Sequence, residues 1–112
     1  MTMHPDGVQV RVKDALARLP GPAGERFVEM LATESLSLAL YAPRGTDPQS
    51  PHDRDEVYLV IEGRGDFICG GTRYVFGPGD VLFVPAGVVH RFEHFGDDFQ
   101  VWVIFVGVTR VV

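Results

Sequence analysis

Lysine is almost absent from this chain of 112 residues: Lys13 stands alone, and the nine arginines are scattered. With fifteen acids the formal net charge is −5, which argues against a nucleic-acid partner, since neutralising phosphates needs clustered Lys and Arg. There is a single cysteine, Cys69, so no intrachain disulfide can form, and the compartment is not fixed by it. No apolar run approaches the ~18 residues that would cross a bilayer, which argues against a membrane partner. Between Met1 and Val12 no charged segment precedes an apolar one, so no secretory leader is expected and a cytoplasmic location is the default. Internal repeats and low-complexity segments are missing too. The length allows one sizeable core and not two.

What the chain does have is punctuation. Thirteen Gly and eight Pro divide it into short apolar runs, the pattern of an all-β fold rich in turns. Val8, Val10 and Val12 alternate with polar residues, suggesting a first strand or extended arm. Asp14 to Leu19 predicts a turn or two of helix, stopped by Pro20-Gly21-Pro22. Residues 1–25 thus form an N-terminal arm with a short helix, and 26–112 a single β domain. Within it, Arg26–Ala32 and Ser35–Ala42 predict antiparallel strands, and Val57–Ile61 a strand apolar on both faces. Asp66–Cys69 and Thr72–Phe76 should form a hairpin across Gly70-Gly71. The last strand, Phe99–Val106, is also apolar on both faces: Val101, Val103 and Phe105 on one, Trp102, Ile104 and Val106 on the other. A stacked sheet covers one face and a second subunit the other, so a homodimer is expected, with Val111 and Val112 adding apolar surface.

The stretch from Gly77 to His94 carries the most information. Pro78-Gly79-Asp80 is turn chemistry, Val81–Val84 predicts a buried strand, and Pro85-Ala86-Gly87 makes a second turn before the strand that carries His90. A histidine set by two such turns is held as rigidly as a metal ligand should be. Upstream, the irregular segment Pro43–Pro51 leads to His52-Asp53-Arg54-Asp55-Glu56. Ser50-Pro51 followed by acids could open a helix, yet the β-branched and aromatic run at Val57–Ile61 favours a strand beginning at Glu56. Residues sharing Glu56's parity are Tyr58, Val60 and Glu62, and that face should look inward. Asp53, Arg54 and Asp55 then read as a solvated loop.

Together these two stretches resemble the cupin superfamily. Its first motif runs G-x5-H-x-H-x3,4-E-x6-G; His52, Glu56 and Gly63 match the second half. Its second runs G-x5-P-x-G-x2-H-x3-N; Gly79, Pro85, Gly87 and His90 match at full spacing. The resemblance spans about Gly45 to Phe95 and implies a jelly-roll β-barrel of two packed antiparallel sheets, with His52, Glu56 and His90 as metal ligands. There are departures: the first histidine falls on Ser50, Gly45 is one residue too close, and the final Asn falls on His94.

Two imidazoles and a carboxylate form a facial set that leaves positions open, suited to Fe(II) and able to hold Mn(II), Zn(II) or Ni(II). Gln49 or Ser50 could reach the ion directly or through water in place of the missing imidazole. His94, four residues beyond His90, lies too far along a strand to join it and instead lines the pocket or rim. Tyr58, Phe83, Phe92 and Trp102 are candidate pocket lining. Cys69 has no histidine near it in sequence and reads as inert, and His4 belongs to the tail. The function expected is metal binding with a barrel pocket for a small oxygenated molecule, as in a metal-dependent oxygenase or isomerase. The alternative is a non-catalytic binding or sensor protein, or a barrel whose metal site is vacant.

Overall fold

The computed structural model describes residues 6–107; His4, Val111 and Val112 lie outside the described residues. The chain forms α1 (Val12–Leu16), β1 (Phe27–Ala32), β2 (Leu36–Tyr41), β3 (Asp55–Glu62), β4 (Gly65–Cys69), β5 (Thr72–Phe76), β6 (Val81–Val84), β7 (His90–Glu93) and β8 (Gln100–Val106). All strand pairings are antiparallel. They build one sheet in the order β1-β2-β8-β3-β6 and a second in the order β5-β4-β7. Chain neighbours repeatedly fall in opposite sheets, which is the jelly-roll barrel. The Gly70-Gly71 turn closes the β4–β5 hairpin with both glycines at positive φ, a conformation that costs other residues.

Between the sheets lies an aromatic core. Tyr58, Phe67, Phe76, Phe92 and Phe99 are each at most 2 % exposed. Phe92 sits at its centre, with ring centroids 4.9 Å from Tyr58 and 4.8 Å from both Phe67 and Phe99. Each such ring contributes roughly 1.5–3 kcal/mol by leaving water, so this layer supports the barrel beneath the site. Gly63 lets β3 turn away tightly: its φ is +95°, and a Cβ there would stand 2.7 Å from the Phe99 Cα.

Four local expectations need correction. Of the strand or extended arm expected from Val8, no strand forms, Arg11 is extended, and Val12 opens α1; the helix ends at Leu16 rather than Leu19. α1 packs on β2, where Ala15 and Leu40 are fully buried, so covering that leucine outweighs the alternating pattern. Glu62 is exposed because the β3–β8 register shifts between Val60 and Glu62. Val81–Val84 is an edge strand, paired on one side only with β3, and Val81 and Phe83 are 64 % and 58 % exposed.

Strand register shows where those side chains belong. Val81, Leu59, Trp102, Leu40 and Val28 form one row across the outer face of the larger sheet; Phe83, Val57, Ile104, Leu38 and Leu31 form the next. Both rows are entirely apolar. Among the described residues no helix is long and apolar enough to cross a membrane.

Candidate metal centre

The two glycine-rich stretches are joined by backbone as well as by sequence spacing. Gly87 donates its N–H to the His52 carbonyl at 2.7 Å, and the Ala86 N–H donates to Asp55 Oδ1 at 2.9 Å. Asp55 is therefore a clasp between the turn and the first residue of β3, not a solvated loop residue. Period-two alternation along β3 sends Glu56 and Tyr58 into the barrel, where they are 1 % and 0 % exposed. His90 opens β7 from the opposite sheet and is likewise buried.

The three expected ligands converge. His90 Nε2 lies 3.2 Å and His52 Nε2 3.9 Å from Glu56 Oε1, and one donor atom from each residue lies within 4.8 Å of the others. Two donors bonded to one ion at ~2.1 Å stand about 3.4 Å apart at tetrahedral angles, so the 3.2 Å pair already matches and small side-chain shifts bring His52 onto a shared ion. The tautomer follows from chemistry. The Val88 carbonyl, 2.8 Å from His90 Nδ1, can only accept, so the N–H is on Nδ1, and in the neutral ring Nε2 presents a lone pair.

That lone pair faces a carboxylate. Among the described residues neither Glu56 oxygen has a hydrogen-bond partner, although both are buried. Two bare acceptors at van der Waals range require a cation between them, either a proton or a metal ion. The protonic form of the same demand appears in His90: burial pushes its pKa down, but the Glu56 carboxylate and the Val88 carbonyl outweigh burial and raise it. His52 is on the open side, with its side chain 32 % exposed. Its ring stands on the Phe105 ring at 4.9 Å, and the Arg54 guanidinium lies over that same phenyl group.

A polar chain leads into the centre from the long loop. Tyr58 donates to Gln49 Oε1 at 2.8 Å, and its hydroxyl lies 3.1 Å from His90 Nε2. Burial, and then the Glu56 charge, push the Tyr58 phenol up, so it stays protonated. Gln49 Nε2 donates to Asp47 Oδ2 at 2.7 Å. Asp47 in turn accepts from the Phe92 N–H at 2.7 Å and from the Tyr41 hydroxyl.

The remaining candidates divide. Gln49, Tyr58 and Phe92 surround the triad, Phe92 beneath it as core. Ser50 is exposed. Phe83 and Trp102 belong to the outer face by register, because Val57 and Leu59 have the parity opposite to Glu56. His94 does not share a face with His90 and Phe92: its φ of 58° breaks β7 after Glu93. Its side chain is 71 % exposed and bound to Asp66 Oδ2 at 2.7 Å. It lines a separate groove of about 420 Å³ beside Gly45–Asp47. Asn-like residues tolerate that left-handed φ, which explains why His94 can occupy the motif's last position.

Three contributors escaped sequence reasoning. Asp47 and Phe105 act through packing and hydrogen bonds across the fold. Cys69 pairs directly with His90 across β4 and β7, and burial followed by the Glu56 charge raises its thiol pKa. Strand pairing, not closeness in sequence, was the signal that could have found it.

An uncharacterized protein of Streptomyces coelicolor is 40 % identical over 81 residues, covering 70 % of this chain and 77 % of that one. The 5-aminosalicylate 1,2-dioxygenase of a Comamonas species is 37 % identical over 68 residues. That match covers 61 % of this chain but 18 % of the dioxygenase, so the chain corresponds to under a fifth of that protein's length. A solved Neisseria meningitidis protein superposes with a TM-score of 0.69 at 18 % identity, over 89 % of this chain and all of that one, a likeness of fold. The cupin domain family model matches residues 37–107, which takes in the triad and both glycine-rich turns, and the chain belongs to that family.

Proposed function

We propose that this protein holds a divalent transition-metal ion at His52, Glu56 and His90 and presents it to a small oxygenated molecule entering past His52. The observation that carries this reading is the Glu56 carboxylate, buried without a hydrogen bond to either oxygen and facing two imidazole nitrogens. Nothing in a stable core calls for that arrangement, and an ion satisfies all three groups at once. The donor set suits Fe(II) and accepts Mn(II), Zn(II) or Ni(II). When bound, the ion would supply Lewis acidity toward a chelating oxygen ligand or a site for O₂. The chain's own contribution is to fix the donors. Val88 holds the His90 tautomer, Phe105 and Arg54 support the His52 ring, and the aromatic core excludes water from behind.

Protein purified without chelator should contain close to one equivalent of metal. His52→Ala should lose it while the far-UV CD spectrum and cooperative melt persist. Unchanged metal content in that variant removes His52 from the centre, and wild-type protein that takes up no transition metal removes the reading altogether.

The outer face of the larger sheet supports a homodimer. α1 covers this face at Leu40; the rest of its two central rows carries no charge, so an identical face can meet it about a two-fold axis without repulsion. An antiparallel sheet left in water usually alternates polar residues outward, and this one does not. Light scattering should give twice the chain mass, and Phe83→Lys should shift the protein to monomer; a monomeric wild type contradicts the assignment.

A further inference from the structure

We infer that Gln49 supplies a fourth, neutral donor to the ion, its amide oxygen replacing the imidazole that Ser50 lacks. This rests on the metal-binding reading above. An amide can point either end at a site, but here its orientation is fixed. Asp47 Oδ2 is an acceptor, so the 2.7 Å contact to it is the Gln49 NH₂. The Tyr58 hydroxyl, 2.8 Å from the other end, donates to Oε1. The carbonyl oxygen is thereby turned toward the triad and stops 3.5 Å from His52 Nε2. That distance is at the outer limit for a hydrogen bond and matches the about 3.4 Å separation of two donors that share an ion. Tyr58 occupies one lone pair of Oε1 and leaves the other free.

The support behind Gln49 is unusual for a loop. Asp47 receives three hydrogen bonds, from Gln49, from the β7 backbone at Phe92 and from Tyr41. With three of its roughly four lone-pair sites taken, Asp47 holds Gln49 as outer partners hold a ligand. The segment Pro43–Pro51 thus carries an amide, not an imidazole, to the mouth of the barrel. A neutral oxygen donor leaves the bound cation with a net positive charge against the single carboxylate, which favours an anionic oxygen ligand at the open positions.

The test is Co(II) titration of the chelator-treated full chain, reading affinity and the visible ligand-field spectrum. Gln49→Leu should weaken Co(II) binding about 10- to 100-fold and alter the spectrum as the coordination sphere changes. Gln49→Met, of similar length but without the oxygen donor, should weaken Co(II) binding by a similar factor. Asp47→Asn should weaken binding in the same direction as Gln49→Leu by a smaller factor. Wild-type affinity and spectrum in Gln49→Leu overturn the assignment and leave the triad standing. So does wild-type binding in Gln49→Met, which decides the matter if the leucine variant does not fold. A wild-type chain that binds no Co(II) removes the triad and the fourth donor together.

Discussion

Replacing Glu56 by Gln should stabilise the metal-free protein and destabilise it relative to wild type once metal is present. Glu56 is 1 % exposed, and among the described residues neither of its oxygens is hydrogen-bonded. The nearest polar atom carried by an opposing strand, His90 Nε2 at 3.2 Å, presents a lone pair unless it is protonated. The metal-free fold must therefore either bury an unrelieved charge or hold a buried ion pair with His90. Exchanging a buried charged group for a neutral one of the same shape often gains stability. The Gln NH₂ can also donate to His90 Nε2, a bond worth about 0.5–1.5 kcal/mol. Together these give a gain of roughly 1–3 kcal/mol, or about 4 °C in Tm per kcal/mol for a domain of this size.

Metal reverses the order. A ligand at 1,000 times its Kd stabilises the folded state by about 4.1 kcal/mol, more than the variant's advantage, and the variant, lacking the anionic donor, gains little of that. Melting curves in chelator should place Glu56→Gln above wild type, and curves in excess Mn(II), Zn(II) or Ni(II) should place it below. The reasoning fails if the variant melts at or below wild type in chelator, or if metal leaves the order unchanged.

Gly63→Ala should cost about 3 kcal/mol or more in urea unfolding: about 1–2 for a left-handed Ala, the rest for a Cβ placed 2.7 Å from the Phe99 Cα. A loss under about 1 kcal/mol means the turn can relax. Arg73→Leu probes the surface network of Asp66, Arg73 and Glu93, with ion pairs of 2.9 and 3.2 Å. Hydrogen bonds from His94 lower the Asp66 pKa and hydrogen bonds from Arg91 lower that of Glu93, Arg73 adding to both. Groups whose pKa falls on folding stabilise at pH values above their unfolded ones, here 3.8 and 4.5. The variant's small deficit, about a degree or two in Tm, should be complete at neutral pH and disappear as acid titrates both groups. A deficit that persists at pH 2 assigns the effect to packing.

Sequence revealed whatever depends on local period and turn chemistry. The two-residue alternation sent Glu56 and Tyr58 inward, and Gly79, Pro85 and Gly87 set His90 on its short strand. The same rules failed where a run is apolar on both faces. Nothing within Val81–Val84 says that β6 lies at an edge, since that depends on which strand pairs with β3. Phe83 and Trp102 were consequently expected at the pocket and lie on the outer face. The strand expected to carry His94 also stops short of it, because a single left-handed residue ends β7 after Glu93. Cys69 and Asp47 were hidden for a different reason: Cys69 meets His90 only once β4 pairs with β7, and Asp47 meets the Phe92 amide only once the long loop folds against β7.

The two halves of the molecule answer each other energetically. The interior toward Gly63 is filled by Phe76, Phe92 and Phe99 in mutual ring contact, an apolar layer with no charge to satisfy. The end that His52 opens holds a bare carboxylate, two imidazoles and an amide oxygen, every one of them an acceptor toward a common point. Such a cluster lowers the stability of the empty fold, and it persists because the aromatic layer and the clasp from Gly87 to His52 hold the strands whether or not the site is satisfied. On the proposed metal-binding reading, free energy withheld from folding at Glu56 would be recovered when a cation arrives. A barrel that had neutralised this carboxylate internally would be more stable and would have far less affinity for metal.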